Sequence, residues 1–203
     1  MAGKMIVLYG VNGIGKTTQA ELLVKFLQAE GKQVSRLKIP VYDLEPEGPF
    51  IYKYLHDVKF REKNEVTTEV LQEKYAKNRE RYEPELRKRL AAGEWVVAED
   101  YTGTGIAWGL TWGADLEYLE EINRGLYQPD LSILLNGERF QTATEAGHRN
   151  EVADERTRIC KNFHLLLGER YGWKQVEANQ SVEAVSKDII SIVQKTFSQE
   201  LSE

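Results

Sequence analysis

Three observations predict an α/β fold, a mainly parallel five-stranded sheet with helices on both faces in a three-layer arrangement. Short apolar, β-forming runs alternate with helical stretches along the chain. A glycine-rich loop follows the first of those runs, and no repeat or low-complexity tract breaks the alternation. Parallel strands need crossover connections, and the crossing helices end up covering the two faces of the sheet. A chain of 203 residues suffices for one such core, so a single domain over 1–203 is expected.

The elements follow in order. Met5–Tyr9 (MIVLY) is apolar and ended by Gly10, the pattern of a strand buried on both faces. Thr17–Glu30 reads as a helix: Ala20, Leu23, Phe26 and Leu27 recur at helical spacing, and Gly31 stands where a glycine stop belongs. Gln33–Ile39 is a second strand, stopped by Pro40. Pro40–Pro49 holds three of the five prolines and Gly48, so it reads as a loop. Glu65–Ala92 is a long helical stretch ended by Gly93. Trp95–Ala98 (WVVA) and Leu131–Leu135 (LSILL) are the third and fourth strands, and Lys174–Glu177 is a weaker fifth. A last helix over Ser181–Phe197 carries Val182, Val185, Ile189, Ile192 and Val193 on one face. Gly137–Ala153 is polar and charged and reads as a mobile lid; Ser198–Glu203 reads as a frayed tail.

Composition narrows the function. Hydrophobic residues make up 41% and charged residues 29% of the chain, as in ordinary globular proteins. The net charge of -5 argues against a broad basic face for a nucleic-acid polymer or an anionic membrane, while leaving room for a local pocket that binds a small anion. No apolar run approaches the roughly 20 residues that cross a bilayer. Met1-Ala2-Gly3-Lys4 leads straight into the first strand, with no secretory apolar segment. Cys160, the single cysteine, fits a reducing cytoplasmic setting.

The strongest signal is Gly10-Val11-Asn12-Gly13-Ile14-Gly15-Lys16-Thr17, which fits G-x-x-x-x-G-K-[ST] at every fixed position. Glycines let successive backbone N–H groups curl toward phosphate oxygens, and the following helix aims its positive end at the same anion. Lys16 would reach the β- and γ-phosphates of ATP, and Thr17 would offer its hydroxyl to Mg²⁺. N-K-x-D, the guanine reader of a guanine-nucleotide switch, does not occur in the chain. A small kinase needs instead an acceptor pocket and a cationic lid.

With Gly10–Gln19 (GVNGIGKTTQ) in view, the chain resembles the thymidylate kinase family, whose pattern is close to E-G-x-D-G-x-G-K-[ST]-T-Q. Tyr75-Ala76-Lys77-Asn78-Arg79 looks like the family's F-x-A-N-R, and Val96–Trp108 (VVAEDYTGTGIAW) its V-V-x-D-R-Y-x-x-S-x-x-A-[FY]. Gln128-Pro129-Asp130-Leu131 is similar to its K-P-D-L, and Arg149-Asn150-Glu151 to its lid R-[FY]-E. The resemblance implies the P-loop nucleoside monophosphate kinase fold, an ATP and Mg²⁺ requirement, phosphoryl transfer to a nucleoside monophosphate, and a helix-mediated homodimer. Gly10, Asn12, Gly13, Ile14, Gly15, Lys16, Thr17 and Thr18 would hold ATP. Tyr75 would stack on the acceptor base, Arg79 would hydrogen-bond a base carbonyl, and Tyr101 would line the sugar. Some members carry a catalytic arginine inside the phosphate loop, where this chain has Gly13, so the cation is expected from Arg149, with Arg156 and Arg158 in reserve.

The departures gather on the acceptor side. The family's D-R-Y reads Glu99-Asp100-Tyr101. Glu99 keeps an acid that would hold Mg²⁺ or accept a proton. Asp100 replaces an arginine that steers the acceptor phosphate. Asn12 replaces an acid of the loop and would bond a sugar hydroxyl. Pro40-Val41-Tyr42 lacks the arginine expected after the proline, leaving Lys38 as the nearest cation. We expect Asp100 to turn away and Lys38 to meet the phosphate. His56, His148 and His164 show no metal-ligand spacing, and Cys160 with His164 reads as packing on one helix face. The expected activity is ATP-dependent phosphorylation of a deoxynucleoside monophosphate, dTMP to dTDP. A deoxynucleoside kinase acting on an uncharged 5′-hydroxyl, and a non-enzymatic nucleotide-binding regulator, are the alternatives.

Overall fold

Five short strands meet in one sheet in the order β2-β3-β1-β4-β5, every neighbouring pair parallel. They are β1 (Met5–Tyr9), β2 (Val34–Lys38), β3 (Trp95–Glu99), β4 (Leu131–Asn136) and β5 (Lys174–Glu177). The computed structural model describes residues 2–140, 149–150 and 154–201. Positions 141–148 and 151–153 of the expected lid, His148 among them, lie outside the described residues.

β1 is central, and its side chains alternate between the two faces as the two-residue period requires. Ile6 and Leu8 join Val97, Ile133 and Leu135 beneath α1 (Lys16–Ala29) and α8 (Val182–Thr196). Met5, Val7 and Tyr9 join Val96, Ala98 and Leu134 beneath Leu86 and Leu90 of α4 (Thr68–Ala91). A third cluster packs α5 (Thr102–Thr111) and α6 (Leu116–Glu121) on α7 (Asp154–Tyr171) through Ile106, Trp108, Leu119 and Leu167. Each aliphatic side chain so buried stabilises the fold by roughly 1.5–3 kcal/mol, offsetting the ordering of its segment.

Several boundaries differ from the sequence reading. The expected loop Pro40–Pro49 already enters helix α2 (Glu47–His56) at Glu47. Pro49 falls in its first turn, where a missing N–H costs nothing. α2, α3 (Val58–Lys63), α5 and α6 were not read from the sequence; they are short, and three glycines dilute the pattern of α5. β3 runs on to Glu99, which is 1% exposed, because a buried carboxylate ends a strand that hydrophobicity would stop at Ala98. In α8, Ser181 caps the N-terminus by accepting from Ala184 N. Val185, Ile189 and Val193 face the core, and Val182 lies at the exposed edge. The tail is not free as far as Leu201, whose N–H donates to Phe197 O and whose side chain packs on the core.

Candidate active site

β1 delivers the chain to Gly10 at its carboxyl end, beside the ends of β3 and β4, where open parallel sheets bind ligands. Gly10, Gly13 and Gly15 have φ of 140°, 76° and 94°, a region closed to most side chains. At Gly10 a Cβ would stand 2.8 Å from Leu135 O, so the loop cannot form with a larger residue there. The curl leads directly into α1, whose N-terminal end faces the loop's concavity. Lys16 is 8% exposed and donates to Gly10 O at 2.8 Å and Val11 O at 3.0 Å. Asn12, Gly13, Ile14, Gly15, Lys16, Thr17 and Thr18 all line one cavity of about 600 Å³, while Gly10 stands behind them.

Thr17 donates its hydroxyl to Glu99 Oε2 at 2.6 Å. Among the described residues Glu99 Oε1 makes no hydrogen bond, although Arg36 Nε lies 3.5 Å away. A buried carboxylate oxygen left without a donor is expensive unless a ligand completes it. A hydroxyl and a carboxylate side by side next to a phosphate loop suit Mg²⁺, which takes one or two protein oxygens plus phosphate and water. Among the described residues no cluster of three or more His, Cys, Asp or Glu offers a self-sufficient metal cage.

One wall of the cavity is a face of α4. Tyr75 and Arg79 are four residues apart and both line the cavity, with Gln72 a turn before them. Arg79 is 2% exposed and, among the described residues, forms no ion pair; Nε donates to Asn123 Oδ1 at 3.0 Å. Asn123 is itself held through Nδ2 to Leu119 O at 2.8 Å. Burial pulls the Arg79 pKa down to about 10, still cationic at neutral pH. Its Nη2 is buried and, among the described residues, makes no hydrogen bond. Burial also pushes the Tyr75 hydroxyl well above its ordinary range. Tyr101 is buried, lines the same cavity and donates its hydroxyl to Glu83 Oε2 at 3.3 Å; burial, reinforced by that carboxylate, raises its pKa.

Asp100 is the one non-glycine described residue with positive φ, 63°. That backbone brings its carboxylate over the phosphate loop instead of away from it, contrary to expectation. Thr104 Oγ1 donates to Asp100 Oδ1 at 2.8 Å, and Lys16 Nζ lies 3.6 Å from the same oxygen. Lys38 is exposed, pairs in register with Glu99 and lines the cavity. Arg149 also lines it, but its guanidinium lies over the ring of Trp112, 3.9 Å from the centroid, and 5.5 Å from that of Tyr54. Its N–H donates to Leu55 O at 2.9 Å, and burial lowers its pKa. Arg156 lies 3.7 Å from the same Trp112 centroid, and both it and Arg158 are exposed. Cys160 and His164 are buried together, Sγ 3.5 Å from Nδ1, which also meets Cys160 O at 2.9 Å. Burial pushes the thiol up to about 12 and the imidazole down to about 4, the signature of packing instead of nucleophilic chemistry.

Sequence reasoning missed the residues that hold these groups in place. Asn78 clamps the corner after β2 by accepting from Val41 N at 2.8 Å and donating to Val41 O at 2.9 Å. It stands inside the Tyr75–Arg79 segment, so its motif position was a usable signal. Thr104 likewise occupies the serine position of the segment after β3. Arg36 and Asn123 sit outside every motif, and only three-dimensional proximity reveals them.

Comparison with known proteins follows the same lines. The profile of the thymidylate kinase family matches residues 8–189. Human thymidylate kinase is 31% identical over 192 residues, covering 92% of this chain and 88% of the human protein. The thymidylate kinase of Nitrosospira multiformis is 29% identical over 203 residues, covering 93% and 96%. The structure of Candida albicans thymidylate kinase matches with a TM-score of 0.82 over 100% of this chain and 94% of that one; at 18% identity this is a likeness of fold. A phosphate loop and an aromatic–arginine helix face opening into one cavity are thus joined to a sequence match over most of the chain, and the protein belongs to the thymidylate kinase family of ATP-dependent phosphotransferases.

Proposed function

We propose that the protein transfers the γ-phosphoryl group of ATP to dTMP, giving dTDP and ADP. The observation that carries this reading is that the phosphate loop and the Tyr75–Arg79 face of α4 share one cavity of about 600 Å³, large enough for donor and acceptor together. A phosphate oxygen of dTMP attacks the γ-phosphorus, and the bond from that phosphorus to the β–γ bridging oxygen breaks. Such a transfer needs alignment and charge stabilisation more than covalent help.

Loop amides and Lys16 hold the β- and γ-phosphates, Lys16 leaving its own loop carbonyls to do so. Thr17 and Glu99 would hold Mg²⁺, which would neutralise phosphate charge. Tyr75 stacks on thymine, Arg79 donates to a base carbonyl, Tyr101 lines the sugar and Asn12 bonds a sugar hydroxyl. Lys38, with Lys16, offsets the repulsion that Asp100 brings to the acceptor phosphate. Arg149 stabilises the moving phosphoryl group after leaving Trp112, a cation–π contact of about 0.5–2 kcal/mol that a phosphate contact can outweigh.

The test is an acceptor panel. With ATP and Mg²⁺, dTMP, dUMP, dCMP and thymidine are compared and the products separated by anion exchange. dTDP as the main product, lost on chelation with EDTA, is expected. Thymidine phosphorylated far better than dTMP would replace this reading by a deoxynucleoside kinase, the chemistry that Asp100 in the cavity favours. A homodimer and a cytoplasmic location belong to the same proposal. Sedimentation should give twice the 23.3 kDa chain mass. No described helix is long and apolar enough to cross a membrane, and Cys160 is a free thiol, both compatible with that location.

A further inference from the structure

We propose that Gln72 is a specificity-determining residue: with Arg79 it reads the imide edge of thymine or uracil and rejects cytosine. This rests on the monophosphate reading above, in which the base lies on Tyr75. Gln72 is 2% exposed and lines the cavity, and its Oε1 lies where Gly105 and the Arg79 guanidinium meet. An amide carries two donors and two acceptor sites, and on a cavity wall these are available to a ligand.

The neighbourhood sets which ligand. Gly105 of α5 faces Gln72 and Arg79. A Cβ there would stand 3.1 Å and 3.2 Å from the terminal guanidinium nitrogens and 3.4 Å from Gln72 Oε1. The three atoms therefore converge on one point, and the glycine leaves the space between them open. With Oε1 toward the guanidinium, the amide sets acceptor beside donor; the flipped amide would set donor against donor. The resulting order is a donor from Arg79 Nη2, which has no partner among the described residues, then an acceptor from Gln72. An imide edge offers the complement, C=O next to N–H. Cytosine offers an amino donor and a bare ring nitrogen in those places. Gln72 could flip to suit the ring nitrogen, but Arg79 has no acceptor to give the amino group. Asn123, a neutral partner at Nε, holds the guanidinium without discharging it.

The experiment measures binding of dTMP, dUMP and dCMP by calorimetry without ATP, alongside kcat/KM for each, in wild type and Gln72→Met. Methionine keeps length and burial but supplies no comparable acceptor. Wild type should prefer dTMP and dUMP to dCMP. In Gln72→Met, dTMP and dUMP should weaken by about tenfold to a hundredfold and dCMP by no more than about threefold, with ATP binding and Tm unchanged. If that variant folds poorly, Gln72→Leu carries the same test, since it is close in volume and supplies no acceptor. A preference that survives either folded variant, or a wild type that binds dTMP and dCMP equally, overturns the proposal. A wild type that binds dTMP selectively yet turns over only thymidine would sink the dTMP kinase reading and leave the Gln72 assignment standing.

Discussion

Lys16 and Asp100 set the electrostatics of the site between them. Two unit charges about 4 Å apart interact by roughly 4 kcal/mol at an effective dielectric of 20, so a phosphate beside an unscreened Asp100 would lose about a thousandfold in affinity. Lys16, 3.6 Å from Asp100, cancels part of that repulsion, and Lys38 on the cavity wall adds to it. Asp100→Asn keeps the left-handed backbone, which asparagine tolerates, and can still accept from Thr104. It should lower the KM for dTMP by about tenfold, measured by steady-state kinetics at fixed ATP; an unchanged KM would mean that the acceptor phosphate does not approach this carboxylate. Lys16→Ala should cut turnover by about a hundredfold or more, with a small fall in Tm from losing its bonds to Gly10 O and Val11 O. Near-normal turnover would remove the phosphate-loop assignment. Arg149→Ala should depress kcat far more than it raises acceptor KM, the pattern of an interaction made in the transition state. A change confined to KM would make Arg149 a ground-state ligand.

At the scale of elements, α7 holds a pH-sensitive device that has no part in catalysis. His164 is 1% exposed, and burial lowers its pKa to about 4 from the model-compound 6.5. The sign follows directly. Below pH 6.5 the unfolded chain takes up a proton that the folded imidazole refuses, so stability is lost as pH falls from 6.5 toward 4. The loss amounts to about 3 kcal/mol by the lower end of that window. His164→Gln should flatten the fall of Tm between pH 7 and 4 relative to wild type, followed by circular dichroism. Parallel curves would mean that His164 titrates normally. On α4, a face written in the sequence by four-residue spacing became a site only through what lies opposite: Gly105 leaves room for Arg79, and Asn123 takes its Nε–H.

For the molecule as a whole, folding and binding are linked because the cavity gathers residues from α1, β3, α4, α5 and the corner after β2. ATP at a hundredfold its Kd should stabilise the protein by about 2.7 kcal/mol, which for a chain of this length raises Tm by about 5–10 °C. Lys16→Ala should abolish that shift, and differential scanning calorimetry at several ATP concentrations would detect it. The fold, the phosphate loop and the family were legible in the chain because each rests on local chemistry. Apolar runs such as MIVLY make buried strands, glycines at fixed spacing make an anion cradle, and a four-residue interval puts Tyr75 and Arg79 on one face. The tertiary structure alone decided where charge ends up. A single backbone angle at Asp100 brings its carboxylate over Lys16, Glu99 is buried against Thr17, and Arg149 rests on Trp112. The physical reason is range: periodicity and turn chemistry act over a few residues, whereas the partner of a buried charge lies wherever the packed chain brings one, 82 positions away for Thr17 and Glu99.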